Sequence, residues 1–167
     1  EKDHPKADVF NEALNTARVE ATGLDIPKIK EVSEVDGKWA LLIEYKNGTT
    51  LEEMMESDKE NLQKYMEDFV KLQLEVHSKK SPRLNKLKDK LASQINGLKD
   101  LDATTRYELM TRLESMPKHD KLCHGDFNPS NVIYGKNGKM TIVDWAHATQ
   151  GNASADVAKT FLLFSLN

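Results

Sequence analysis

Two stretches decide how this sequence folds: His124-Gly125-Asp126-Phe127-Asn128-Pro129-Ser130-Asn131, and further along the chain Ile142-Val143-Asp144-Trp145. In the first stretch, Asp126 and Asn131 are spaced as D-x-x-x-x-N, and Asp144 follows Asn131 by thirteen residues. Phosphoryl transfer needs a carboxylate that orients the attacking hydroxyl and accepts its proton, and hard oxygen ligands that hold magnesium on the phosphates. An Asp, an Asn and a second Asp at this spacing supply residue types that suit both tasks.

The segment between Asn131 and Asp144 predicts a β-hairpin. Val132–Tyr134 and Met140–Val143 are strand-like runs on either side of a turn that contains Gly, Asn and Lys. A hairpin returns the chain on itself, so we expect Asp144 to face the loop that carries Asp126 and Asn131.

The remaining sequence predicts one further hairpin and several helices. Runs at 29–34 and 38–45 flank Asp36-Gly37, a hairpin turn signal, and the apolar run Trp39–Ile43 is expected to be buried on both faces. Helical periodicity predicts helices at about 8–21, 51–55, 58–77, 84–95, 104–116 and from 154 onward. The order indicates an α+β fold with a small strand-containing end and a larger helical end.

Three of these helices are assigned an apolar face. In the helix at 58–77 the stripe is Leu62, Tyr65, Met66, Phe69, Leu72 and Val76. In the first helix the expected stripe is Val9, Ala13, Ala17 and Ala21, and in the last it is Val157, Ala158, Phe161 and Leu162.

On these motifs the sequence resembles the aminoglycoside phosphotransferase and choline kinase-like family, which shares the protein-kinase fold and writes its catalytic loop as H-G-D-x-x-x-x-N. The resemblance implies that Asp126 is the catalytic base and that Asn131 and Asp144 are magnesium ligands. It implies that His124 is the loop histidine and that Asp156 braces the catalytic loop from the start of a helix.

The resemblance extends upstream to the segment Leu42–Leu51, which is similar to the hinge of this family. It implies that backbone groups of Glu44, Tyr45 and Lys46 bind the adenine of a nucleotide. It also implies that Glu12, on the first helix, is the glutamate that the family pairs with its phosphate-binding lysine, with Glu20 as the less favoured candidate.

The fold implied is a remnant of the N-terminal strand lobe over residues 1–46, followed over 47–167 by the hinge and a partial, mainly helical C-terminal lobe. The family's Gly-rich loop and strand lysine are not found before Phe10, and both chain ends look cut. We therefore expect the chain as it stands to bind nucleotide poorly. Where the family often carries Glu after the Asp-Trp pair, this chain has Ala146-His147.

Several residues also have a purely structural interpretation. His124 is expected to be a buried, hydrogen-bonded histidine, Asp156 a helix-capping acid, and Cys123 a small core residue. His77, at the end of the core helix, is expected to be a packed or capping residue. A basic cluster, which could attract an anionic substrate but is more typical of a solvated helix face, consists of Lys79, Lys80, Arg83, Lys86, Lys88 and Lys90.

Composition narrows the partners. Lys and Arg number 24 against 27 Asp and Glu, giving a net charge of −3, so no general basic field would attract nucleic acid or anionic lipid. One cysteine and no apolar run of membrane-spanning length point to the cytoplasm. The predicted function is an ATP- and Mg²⁺-dependent kinase acting on a hydroxyl of a small molecule. The alternative is a non-catalytic kinase-fold binding or regulatory module, and a protein kinase is a weaker third.

Overall fold

The computed structural model of the chain describes residues 5–166. Expectations that concern Glu1–His4 and Asn167, including those about the two chain ends, lie outside the described residues. The helices are α1 Lys6–Glu20, α2 Leu51–Ser57, α3 Leu62–Ser78, α4 Leu87–Gly97, α5 Ala103–Ser115 and α6 Ala153–Leu166. The strands are β1 Ile29–Val35, β2 Lys38–Ile43, β3 Gly48–Thr50, β4 Lys121–Cys123, β5 Val132–Gly135, β6 Met140–Ile142 and β7 Thr149–Gly151.

The strands form three small antiparallel sheets, ordered β1-β2, β3-β5-β6 and β4-β7. Both predicted hairpins are confirmed, as β1-β2 and β5-β6, and the α+β class is confirmed with them. The pairing of β3 with β5 and the pairing of β4 with β7 were not predicted. Three-residue strands carry too short a pattern for the sequence to reveal them.

Within the described residues, an apolar core joins α1, α2 and α3 to β4, β5 and β6. Phe69 of α3 stacks on Phe127 with the ring centroids 4.4 Å apart. The core cluster comprises Val19, Leu24, Ile26, Leu51, Met55, Tyr65, Phe69, Val76, Leu84, Leu122, Phe127, Val132, Ile142, Trp145 and Ala148. The core therefore runs without a break past residues 46 and 47, and the division of the chain there remains a prediction.

Side chains at the helix ends satisfy backbone groups and so fix where the helices start and stop. Thr50 and Glu53 form a capping box at the start of α2, and Asp102 accepts from the Thr105 N–H at the start of α5. Arg106 of α5 donates to carbonyl oxygens in the last turn of α4 and just after it, including that of Leu101 at 3.1 Å.

Three expectations about burial are wrong. Leu42 and Ile43 of β2 are 55% and 38% exposed and Trp39–Leu41 are half-buried, because β2 belongs to a two-stranded sheet that packs mainly against α1, which covers neither face fully. In α1 the buried residues are Val9, Ala13, Asn15, Thr16 and Val19, so Ala17 and Ala21 are not in the stripe.

In α6 the expected apolar side faces outward, with Val157 45%, Phe161 68% and Leu162 54% exposed. The buried positions are Asp156 and Thr160, because polar partners on α3 and on the loop after β4 occupy the inner face. None of the helices described here combines the length and the apolar character that crossing a bilayer requires.

Candidate active site

The loop that follows β4 begins with a turn that only glycine can make. Gly125 has a φ of +79°, in the left-handed region, and a Cβ there would overlap the carbonyl oxygen of His147. The segment after Asp144 therefore packs directly against the backbone of the loop. This close approach places Asp126 beside the stretch that contains Asp144.

Asp126 and Asn131 are in direct contact. The Nδ2 of Asn131 donates to the Oδ2 of Asp126 at 3.1 Å and to its carbonyl oxygen at 3.0 Å. Asn128 adds a second amide donor to the same carbonyl oxygen at 3.1 Å. A 3-10 turn over Pro129–Asn131 sets the distance between the two residues. The carboxylate is thus oriented by the asparagine that the D-x-x-x-x-N spacing singles out.

Asp144 lies directly after the hairpin on an exposed stretch of backbone. Its φ is 60°, a left-handed conformation that Asp and Asn adopt more readily than most residues, and its Oδ1 accepts from the Ala146 N–H at 3.3 Å. The Val143 N–H donates to the carbonyl oxygen of Asn131 at 3.0 Å. The hairpin therefore holds Asp144, just after the end of β6, near Asn131, just before the start of β5, as the sequence predicts.

The donor set of this corner suits magnesium. Asn131 uses its Nδ2 toward Asp126, which leaves its Oδ1 without a hydrogen bond among residues 5–166, and Asp144 is exposed. Amide and carboxylate oxygens are the hard ligands that Mg²⁺ prefers, usually with water and substrate phosphates completing its shell. Among the described residues no group of three His, Cys, Asp or Glu could hold a metal. Protein ligands alone would therefore leave the shell incomplete.

His124 is fully buried and ties the loop to the hairpin. Its Nδ1 accepts from the Asp126 N–H at 3.2 Å, and its Nε2 lies 3.1 Å from the carbonyl oxygen of Val143. These partners assign the neutral tautomer with the proton on Nε2. Burial lowers the pKa of His124 and outweighs its backbone hydrogen bond and the nearby carboxylates. A neutral ring in this position holds two backbones together, which matches a structural role.

Asp156 gathers hydrogen bonds from three directions while it is 3% exposed. Its carboxylate accepts from the His124 N–H at 3.0 Å and the Gly125 N–H at 2.8 Å, and it lies 3.0 Å from the Nε2 of His77. Burial raises the pKa of Asp156, but these hydrogen bonds outweigh it and leave the pKa below its ordinary value. The carboxylate thus binds the loop backbone and the end of α3 at once.

Two lysines and a histidine beside Asp126 were not singled out as site residues by the sequence analysis. Lys159 lies on α6, three residues after Asp156, where it donates to the Gly125 carbonyl oxygen and lies 3.8 Å from the Oδ1 of Asp126. Lys90 of α4 donates to the His147 carbonyl oxygen at 3.4 Å. The signal for Lys159 was available, since it is the sole charged residue after Asp156 in an apolar stretch. Nothing in the sequence brings α4 to this point.

Part of the predicted hinge, Glu44–Lys46, already makes hydrogen bonds and an ion pair within the protein. The Glu44 N–H donates to the Lys28 carbonyl oxygen at 2.8 Å, and Lys46 pairs with the Glu44 carboxylate at 3.1 Å. The pKa of Glu44 is lowered, first by the hydrogen bond from Lys46 and then by the Lys28 N–H. Tyr45 is 83% exposed. The backbone groups of Tyr45 and Lys46 make no hydrogen bond among the described residues, so they could receive an adenine.

Glu12 lies on α1 and Cys123 on β4, outside the loop and the hairpin described above. Glu12 is half-buried on α1, and its pairing with a nucleotide-binding lysine remains a prediction. On the same helix, the Nδ2 of Asn15 donates to the Ala146 carbonyl oxygen at 3.0 Å, so α1 touches the segment that follows Asp144. Cys123 is fully buried, and burial raises its pKa to about 12, which excludes a reactive thiolate.

A family model and several solved structures match this chain. The model of the phosphotransferase enzyme family matches residues 1–166. A thermostable mutant of aminoglycoside phosphotransferase APH(4)-Ia superposes with a TM-score of 0.70 at 17% identity, over 95% of this chain and 62% of that one. No curated protein matches the sequence.

Two further solved structures share the fold. An aminoglycoside-3'-phosphotransferase of type VIII has a TM-score of 0.65 at 20% identity, over 93% of this chain and 64% of the other. The choline kinase LicA from Streptococcus pneumoniae has a TM-score of 0.60 at 20% identity, over 92% and 55%. The chain thus spans less than two thirds of the length of each of these proteins. It has the kinase-like fold of aminoglycoside phosphotransferases. The chain belongs to the phosphotransferase enzyme family.

Proposed function

We propose that this chain carries the catalytic corner of a kinase that transfers the γ-phosphate of ATP to a hydroxyl of a small molecule. The observation that carries the proposal is the carboxylate of Asp126, oriented by Asn131 and held beside the exposed Asp144. That arrangement supplies a proton acceptor and oxygen ligands within one loop and one hairpin. Positioning and charge neutralisation provide most of the catalysis in such reactions.

In the proposed reaction the acceptor oxygen attacks the γ-phosphorus, and the bond from that phosphorus to the bridging oxygen of ADP breaks. Asp126 orients the hydroxyl and takes its proton. Asn131 keeps the Asp126 carboxylate in place through its Nδ2. The Oδ1 of Asn131 and the carboxylate of Asp144 would hold Mg²⁺, which neutralises the phosphate charge when it is bound.

The nucleotide side of the proposal is supported by relatives of the same fold. APH(4)-Ia has been solved with AMP-PNP and hygromycin B, and LicA with AMP. In this chain the exposed backbone of Tyr45 and Lys46 would receive the adenine, and Glu12 would face the phosphate side as the family resemblance implies. His124 and Asp156 would position the loop without touching the substrate.

The experiment measures ADP release with ATP, Mg²⁺ and a panel of hydroxyl compounds, using the complete product of the gene. We expect Asp126→Asn to lower kcat by about 100- to 10,000-fold, the usual contribution of a positioned proton acceptor. Asp144→Asn should raise the Mg²⁺ concentration needed for half-maximal rate. Asp120→Asn is the matched control, since Asp120 lies at the surface and pairs with Lys80.

Retained turnover in Asp126→Asn would refute the assignment of Asp126. Calorimetry of Mg²⁺-ATP binding separates the remaining alternative. Binding without ADP release for any acceptor, or no binding at all, would favour a non-catalytic module that keeps the fold.

A further inference from the structure

We propose that the acceptor is an anion, a hydroxyl compound that bears a carboxylate or phosphate group, and that Lys90 and Lys159 bind this group beside Asp126. The inference rests on the proposed function, because it names the class of acceptor for the same site. It differs from what choline would require, since choline is a quaternary ammonium cation.

Lys159 fixes one side of this anion site. Its Nζ is anchored by the Gly125 carbonyl oxygen and lies 3.8 Å from the Oδ1 of Asp126, and its side chain is 47% exposed. The anchored ammonium therefore stands within reach of any group that approaches Asp126 from solvent. Anchoring reduces the entropy that the lysine would lose on binding a ligand.

Lys90 of α4 is the second cation of this site, and its side chain is half-buried. Among residues 5–166 it makes no ion pair, and the hydrogen bond that its Nζ makes is to the His147 carbonyl oxygen at 3.4 Å. Burial lowers the pKa of Lys90, and the charge of Lys159 lowers it further, against the opposing effect of Asp126 and Asp156. A desolvated charge without a partner is costly, so this position favours an external anion.

The neighbouring carboxylates compensate the positive charge only in part. The Asp156 carboxylate is buried and already accepts from two loop N–H groups and contacts His77, while Asp144 would be occupied by Mg²⁺. Among residues 5–166 this leaves the single carboxylate of Asp126 to face two lysines. The same positive charge acts on His147. Burial lowers the pKa of His147 most, and the charges of Lys90 and Lys159 lower it further.

The other lysines of the basic cluster do not share this arrangement. Lys80 pairs with Asp120 at 2.8 Å, and Lys88 donates to the Glu114 carbonyl oxygen at 3.1 Å at the end of α5. Lys86 is exposed at the start of α4. The cluster is therefore mainly a solvated and helix-capping surface, as the sequence analysis favoured, with Lys90 as its exception.

A competing location for a cationic acceptor exists nearby. A cleft of about 330 Å³ is lined by Glu52 and Glu56 of α2 and by Asn128–Ser130 of the loop, and it includes neither Asp126 nor the two lysines. A positive charge on the acceptor would favour binding in this cleft, because Glu52 and Glu56 line it. The charge preference of binding therefore tells the two locations apart.

The test uses four compounds that differ in a single substituent: glycerol 3-phosphate, glycerate, glycerol and 3-amino-1,2-propanediol. Their dissociation constants are measured by NMR titration of the protein at low ionic strength, without nucleotide. We expect at least one of the two anions to bind about tenfold more tightly than glycerol and the amine, as charge pairing at a partly desolvated site allows. The phosphate and carboxylate arms show which anion the site prefers.

Three variants assign the effect to the lysines. Lys90→Gln and Lys159→Gln should each reduce the preferred anion's affinity about fivefold or more and leave glycerol unchanged. Lys159→Arg, which keeps the charge, should restore most of it. Lys86→Gln, one turn earlier on the same helix, should have no effect, and thermal melting checks that each variant is folded.

Equal binding of all four compounds, tighter binding of the amine, or loss of Mg²⁺-ATP affinity without loss of anion affinity in the lysine variants would overturn the inference. ADP release separates it from the proposed function. Turnover that prefers the amine would keep the kinase and refute the anion site. Lysine-dependent anion binding without turnover of any acceptor would keep the site and refute the kinase.

Discussion

At the scale of single residues, Asp156 holds the loop through two backbone hydrogen bonds. It lies in the first turn of α6, where an acid is favoured by the helix dipole, yet its hydrogen bonds go to the loop and to His77. Because its pKa is lowered, its contribution to stability is fully present above pH 3.8 and is lost as the pH falls through the folded-state pKa.

We expect Asp156→Asn to lower the free energy of unfolding by about 3 kcal/mol, because an amide cannot accept all of the hydrogen bonds and leaves buried donors unsatisfied. Urea unfolding at pH 7 measures the change. Asp68→Asn, at a surface pair with Lys71, should alter stability by less than about 0.5 kcal/mol. A loss below about 1 kcal/mol for Asp156→Asn would show that other contacts hold the loop.

His124 gives the protein a pH dependence in a higher range. Burial lowers its pKa, so the folded state binds the proton less well than the unfolded state does. Its contribution to stability is therefore present above the ordinary pKa of 6.5 and is lost as the pH falls from there through the folded-state pKa.

We expect the unfolding free energy to fall between pH 6.5 and pH 5 with a slope that approaches about 1.4 kcal/mol per pH unit for this one group. His124→Gln should have the shallower slope, because an amide does not titrate there. Urea unfolding at pH 7, 6 and 5 compares the two proteins, which share His147 and the other histidines. Parallel slopes would contradict the buried neutral ring.

The sequence predicted the site's residues where a short spacing fixes the geometry. Asp126 and Asn131 meet because five residues of a tight turn leave little freedom, and Asp144 joins them through a hairpin. Lys90 reaches the site from another helix, and its contact depends on tertiary packing that a local pattern does not contain.

At the scale of elements, hairpins were predictable, and the buried face of a helix or strand was predictable only in part: the stripe on α3 is buried at Tyr65, Phe69 and Val76, but those on α1, β2 and α6 differ. Asp36-Gly37 between two strand-like runs favours a hairpin turn, and both residues have the positive φ that such a turn needs. The exposure of Leu42 on β2 and of Phe161 on α6 depends on which elements lie opposite them. Periodicity tells which residues share a face, but the fold decides which face is covered.

The β1-β2 hairpin is attached to the rest mainly through α1. Phe10 contacts Trp39 at 5.3 Å between ring centroids, and the Nζ of Lys6 lies 4.1 Å from the Trp39 ring. We expect Trp39→Ala to raise hydrogen exchange in β1 and β2 by more than about tenfold and to leave α3 unchanged, because local opening exposes this unit alone. Exchange mass spectrometry measures both, with Tyr107→Ala on exposed α5 as the control. Uniform deprotection would show that the hairpin unfolds with the core.

At the scale of the whole molecule, the surface carries an apolar strip along α6. Val157 and Phe161 lie one turn apart, and Leu162 adjoins them, all of them exposed. Apolar groups in one continuous strip bind other apolar surfaces.

We expect the chain to bind a hydrophobic fluorescent dye and Phe161→Ser to reduce that binding about twofold or more, with no loss in melting temperature, because the ring is not in the core. Tyr107→Ser removes an aromatic ring that is 73% exposed on α5, and it should leave the dye signal unchanged. A lower melting temperature for Phe161→Ser would mean that the ring stabilises the fold.

The pairing of β3 with β5 has a consequence for any bending of the molecule. Gly48 to Thr50 are locked in the sheet whose strand β5 begins next to Asn131, while the Glu44 N–H is tied to Lys28. Within the described chain, the connection between these fixed points is Tyr45–Asn47. A movement of the β1-β2 hairpin relative to the core would bend the chain at those three residues, so a nucleotide seated on their backbone would act on that movement directly.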